Sequence, residues 1–76
     1  MKIAILTTAE QWFVDYAKEL QATIKDSELF FYHKDIEESY NILLILSYHK
    51  LIEKEYLQKN KHNIVIHASA LPQGKG

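Results

Sequence analysis

Apolar residues fall in four short runs separated by polar stretches, and the runs differ in period. Lys2 to Thr7 (KIAILT) is a continuous aliphatic and β-branched run, the pattern of a buried strand. From Ala9 to about Lys25, Trp12, Phe13, Tyr16, Ala17, Leu20 and Ile24 recur at three- and four-residue steps. Glu10, Asp15, Lys18, Glu19 and Gln21 take the opposite side, so an amphipathic helix is predicted. Thr8 stands where an N-cap belongs, and Gln11 completes a capping box. Asp26-Ser27 interrupts the period, and Glu28 to His33 (ELFFYH) is predicted as a second strand, with the polar stretch from His33 to Tyr40 read as a loop or one helical turn.

Ile42 to Leu46 (ILLIL) shows no alternation and reads as a strand covered on both faces, the usual condition in a parallel sheet. Ser47 is predicted to cap a second helix reaching about Asn60, with Ile52 and Tyr56 one turn apart and Lys59 and Lys61 at its carboxyl end. Asn63 to His67 (NIVIH) is a fourth strand, and the tail holds the one proline and both glycines. The order strand, helix, strand, strand, helix, strand predicts an α/β fold, a Rossmann-like half-sheet of about four parallel strands with two main helices in a single domain, residues 1–76.

Composition narrows the range of functions. A 76-residue chain buries only roughly 60% of its unfolded surface, so its core is marginal. With no cysteine there is no disulfide framework, thiolate metal site or thiol nucleophile. The net charge of -1 supplies no field for nucleic acid or an anionic membrane. The longest apolar run is about a quarter of a bilayer span, and the start lacks a signal-peptide core, so a cytoplasmic protein is expected.

Candidate chemistry rests on few residues. His33, His49, His62 and His67 share no metal-ligand spacing, so no metal site is expected, and neither a GxGxxG nor a P-loop pattern follows the first strand. His67 ends the last strand, and Ser47-Tyr48-His49 follows the third. In open α/β sheets both positions, with Thr7-Thr8, lie at the edge where ligands bind. For each, a structural role is the competing explanation: a loop-packed histidine at 67, and an N-cap with ordinary helix residues at 47–49. The lysines at 50, 54, 59 and 61 alternate with Glu53 and Glu55 as a solvated face.

The tail from His67 through Ala68-Ser69-Ala70-Leu71-Pro72-Gln73-Gly74-Lys75-Gly76 resembles the signature loop of the folate-dependent formyltransferases. That loop runs His-Pro-Ser-Leu-Leu-Pro, two residues, Arg-Gly. Tyr40 to Leu46 with Ser47 to Ile52 is similar to the family's hydrophobic strand and following turn, and Lys2 to Leu20 to its opening strand and helix. The likeness is strongest to short formyltransferase-like proteins within the methionyl-tRNA and sugar N-formyltransferase family. Their loop reads His-x-Ser-Asp-Leu-Pro-x-Gly-Arg/Lys-Gly.

The resemblance implies 10-formyltetrahydrofolate as cofactor and an amine acceptor, such as an amino-sugar nucleotide, in complete relatives. It implies His67 as the catalytic group, donating to the tetrahedral oxyanion or handling the amine's proton. It also implies Tyr48 and His49 beside the folate, with Leu71, Pro72 and Gly74 bordering the pocket. Three departures bear on activity. Val65 stands where the family has its catalytic asparagine, and Asn63, about 6.6 Å away along a strand, cannot reach. Ala70 replaces the short group's aspartate, and the family's catalytic aspartate follows the loop in which this sequence stops. The expectation is the N-terminal half of a truncated formyltransferase-like domain, inactive alone. The alternative is a non-catalytic module that dimerises or pairs through its exposed sheet edge. Val65→Asp separates a buried strand, where it costs several kcal/mol, from a segment outside any packed strand.

Overall fold

The structure, a computed structural model, describes residues 1–8 and 11–66. Among these residues four strands and two helices follow in the order β1 (Ile3–Thr7), α1 (Gln11–Thr23), β2 (Ser27–Phe30), β3 (Ile42–Leu46), α2 (Lys54–Gln58) and β4 (His62–Ile66). A single 3-10 turn, His33–Asp35, lies between β2 and β3. The strands form one all-parallel sheet in the order β2-β1-β3-β4. Parallel neighbours require crossover segments, which explains why the two short helices are spent on connections.

Alternation along the strands builds two cores. Ala4, Leu6, Leu43 and Ile45 point to one face and are buried with Ile36 and Tyr40, covered by Phe30, Tyr48, Ile52 and Leu57. Ile5 and Leu46 point to the other face and meet Ala17 of α1, with Tyr16, Leu20, Leu29, Leu44 and Ile66 around them. The chain leaves β1 toward β2 but returns to β3 on the opposite side of β1. That reversal puts α1 on one face and α2 on the other.

The sheet matches the predicted half-sheet, and differences in the connections have local causes. α1 ends at Thr23, whose hydroxyl donates to the Glu19 carbonyl at 2.9 Å, and Asp26 takes a left-handed conformation (φ 59°) to turn into β2. Aspartate tolerates that region, so no glycine is needed there. β2 stops at Phe30 because His33 leaves the sheet for the 3-10 turn, where it is buried.

The helix expected from Ser47 to Asn60 is reduced to Lys54–Gln58. Ser47 is left-handed (φ 49°), whereas an N-cap residue is extended, so Ser47 turns the chain sharply rather than starting a helix. Residues 47–53 form a strap across the face that holds Ala4 and Leu6, with Tyr48 and Ile52 packed inward and Leu51 89% exposed. β3 is covered as expected at Leu43, Ile45 and Leu46. β4 is a strand, but an exposed one: Ile64 and Val65, on opposite faces, are 44% and 57% accessible.

Candidate functional site

The strand order reverses direction between β1 and β3, and the carboxyl ends of those strands form the crevice where open α/β sheets bind ligands. Four hydroxyl and amide contacts knit this edge together. The Thr7 hydroxyl donates to the Leu46 carbonyl at 2.9 Å in fully buried surroundings. The Thr8 hydroxyl donates to the Ser47 carbonyl at 3.2 Å and accepts the His49 amide at 3.1 Å. Ser47 in turn donates its amide to the Ile66 carbonyl at 2.9 Å, which ties the end of β4 to the same turn. Thr8, read from sequence as the N-cap of α1, is thus engaged across the edge. Ala9 and Glu10, which follow it, lie outside the described residues.

Beneath this edge sits a group that sequence reasoning missed. His33 is buried at 3% exposure, and both ring nitrogens have partners. Nδ1 lies 2.8 Å from the Tyr48 hydroxyl, which also accepts the His33 backbone amide at 2.9 Å. Nε2 lies 2.9 Å from a carboxylate oxygen of Glu53. The rings of Tyr48 and Tyr56 meet the imidazole edge-on at 5.7 and 5.1 Å. Sequence spacing carries no signal for this cluster, because the partners are 15 and 20 positions away and come together only through the shortened second crossover.

The order carboxylate, imidazole, hydroxyl is that of a nucleophilic triad. Two features oppose that use. Burial holds the Tyr48 phenol above its ordinary pKa, and its oxygen already accepts the His33 amide. Glu53 is held below the ordinary carboxylate range by its own backbone amide and then by the His33 hydrogen bond. A phenol kept protonated, with its oxygen already engaged by the His33 amide, organises the imidazole rather than attacking a substrate.

The expected site residues divide accordingly. His67, Leu71, Pro72 and Gly74 lie outside the described residues. His49 is exposed at the crevice, with its amide on Thr8, whereas Tyr48 turns its hydroxyl inward to His33, away from any ligand at the edge. One cavity of about 460 Å³ is lined by Lys34, Ile36, Glu37, Glu55, Tyr56 and Lys59, and another of about 300 Å³ by Lys2, Asp26, Ser27, Glu28 and Tyr40. Neither is lined by Tyr48 or His49. Among the described residues no helix is long and apolar enough to cross a membrane, and no three His, Asp or Glu side chains converge as a metal site. Comparison with known protein families, curated proteins and solved structures finds no match to this chain. Sheet order and face-by-face packing define the class: an α/β half-sheet of the Rossmann-like kind.

Proposed function

We propose that the chain is the N-terminal part of a formyltransferase-like domain, able to contact 10-formyltetrahydrofolate but not to transfer its formyl group unaided. The observation that carries this reading is the β2-β1-β3-β4 order. It brings Thr8, Ser47 and His49 to one carboxyl edge, and β4 ends there at Ile66, one residue before the His67 loop that resembles the family signature. In this reading the His67 imidazole supplies a donor to the oxyanion formed when an amine attacks the formyl carbon. Backbone near His49 borders the folate, and the Leu71, Pro72 and Gly74 loop supplies the remaining wall. Tyr48 contributes through its backbone only, since its side chain is committed to His33.

Turnover is not expected, because Val65 occupies the position where the family carries an amide side chain to share the oxyanion. The experiment is calorimetric titration of the 76-residue chain with a stable 10-formyltetrahydrofolate analogue, together with an assay for formylation of an amino-sugar nucleotide. Weak binding lost in His67→Ala, with no product, supports the reading. Absence of binding at millimolar ligand sinks it, and product formation abolished by His67→Ala would overturn inactivity.

A second reading is favoured by β4. An edge strand with Ile64 and Val65 exposed on opposite faces suits a non-catalytic module that pairs with another chain, a second copy included. Sedimentation over a concentration series separates this reading from a monomeric one.

A further inference from the structure

We infer that His33 is a latch: it holds the 47–53 strap shut over the sheet by gripping it at both ends, through Tyr48 and through Glu53. Residues 47–53 belong to no helix or strand, so beyond the Ser47 amide on the Ile66 carbonyl their placement depends on side-chain contacts. At the edge, Thr8 receives the His49 amide. Inside, Tyr48 and Ile52 pack on the Ala4, Leu6 and Ile45 face, while Leu51 faces outward. His33 binds the strap at two places five residues apart, 2.8 Å from Tyr48 and 2.9 Å from Glu53.

The hydrogen bonds assign the ring's protonation pattern. An ionised carboxylate can only accept, so the ring nitrogen facing Glu53, Nε2, carries the proton of the neutral ring, and the Tyr48 hydroxyl, whose oxygen also accepts the His33 backbone amide, donates to Nδ1. Nδ1 is then the acceptor, and the ring proton resides on Nε2, where it donates to the Glu53 carboxylate. All four polar groups are satisfied by this single tautomer, and no buried side-chain nitrogen or oxygen among the described residues is left without a partner. The opposite tautomer would leave the Glu53 carboxylate facing an unprotonated nitrogen, two acceptors with no proton between them. An asparagine or glutamine in place of His33 can reach one partner but not both, because the two contacts lie on opposite sides of an imidazole ring. The latch is independent of any formyl chemistry at the edge.

Two measurements on the intact 76-residue chain test it. Long-range proton-nitrogen NMR of neutral His33 is expected to show a protonated Nε2 and an acceptor-type Nδ1, and the reverse pattern would overturn the assignment. Trypsin cleavage after Lys50, inside the strap, is expected to rise about tenfold in Tyr48→Phe and in Glu53→Ala, the size of effect that follows from losing one organising hydrogen bond. Glu53→Gln keeps an acceptor for Nε2 and is expected to stay within about twofold of the parent. Cleavage after Lys18, in α1, reports global opening and is expected to be unchanged. If Lys50 cleavage does not rise, or if Lys18 cleavage rises equally, His33 is ordinary core packing and the latch is refuted.

Discussion

The hydroxyl of Thr8 accepts the backbone amide of His49 at 3.1 Å, joining residues 41 positions apart across the carboxyl edge of the sheet. The same hydroxyl donates to the Ser47 carbonyl at 3.2 Å, so one small side chain closes the gap between β1 and the turn after β3. Its neighbour Thr7 makes the comparable bond to the Leu46 carbonyl inside the core.

The two threonines are therefore expected to differ in a defined order. Thr8→Val removes bonds to partners that water can reach, and about 1 kcal/mol of stability should go with them. Thr7→Val has the same shape but deprives a carbonyl in fully buried surroundings of its donor, and should cost about 1–3 kcal/mol. Urea denaturation of both variants checks the ranking, and equal midpoints would contradict it.

The sheet was legible in the sequence because its information is local. An unalternating run at Ile42 to Leu46 needs two covered faces, and a three-four period from Tyr16 to Leu20 needs one. The second helix was misread for the opposite reason. Ser47 looks like a cap when only its neighbours are considered, but its conformation is set by the Ile66 carbonyl and by Thr8, neither of which is near it in sequence. His33 followed the same rule. It stood at the end of an aromatic run with no visible purpose, and its partners Tyr48 and Glu53 are found only once the strap has crossed the sheet. His67 was read from the sequence as the end of the last strand, and it lies outside the described residues.

In acid, Glu38 and Glu53 should titrate below the ordinary carboxyl value of 4.5. The Glu38 carboxylate is held down by its hydrogen bond from Lys2 and by that ammonium charge. Glu53 is held down first by its own amide and then by His33. A carboxyl depressed in the folded state stabilises the fold fully above its unfolded value, and the contribution is lost as pH falls through the folded value. Stability should therefore be flat from neutrality to about pH 4.5 as far as these two groups are concerned, then decline. Carbon-detected NMR titration of the side chains, alongside thermal melts, would show this. A Glu53 midpoint above 4.5 would contradict the assigned hydrogen bonds.

In base, the relevant groups are Tyr40 and Tyr48, both pushed above the ordinary 10.0, with burial the largest cause in each. Tyr40 also donates its hydroxyl to the Glu28 carboxylate, so a phenolate there would face a like charge. A group raised in the folded state leaves stability intact below its unfolded value and withdraws it as pH rises beyond. Loss should thus begin near pH 10 and continue upward. Spectrophotometric titration should show Tyr40 and Tyr48 ionising together with loss of the fold. Tyr40→Phe should remove part of that alkaline dependence, and its failure to do so would mean the phenol is not protected.

β4 offers the sharpest contrast between position in the sheet and cost of substitution. Its register with β3 is complete, from His62 beside Ile42 to Ile66 beside Leu46, yet Val65 is 57% accessible, standing on the outermost strand with no helix among the described residues reaching over it. An aspartate at a buried strand position would cost several kcal/mol, but at this exposed edge Val65→Asp should change stability by no more than about 1 kcal/mol. Leu43→Ala, one strand inward and 1% accessible, should cost about 2–5 kcal/mol. The same Val65→Asp substitution has a second readout. His62 to Ile66 carries no lysine, carboxylate or proline to discourage another strand from adding to it, and an aspartate at 65 would place a charge within that seam. If the chain pairs through β4, the parent's sedimenting mass should rise with concentration while Val65→Asp remains at one chain, since each copy would then carry a carboxylate into the seam. A parent that stays monomeric at high concentration removes the pairing and leaves the small stability effect standing on its own.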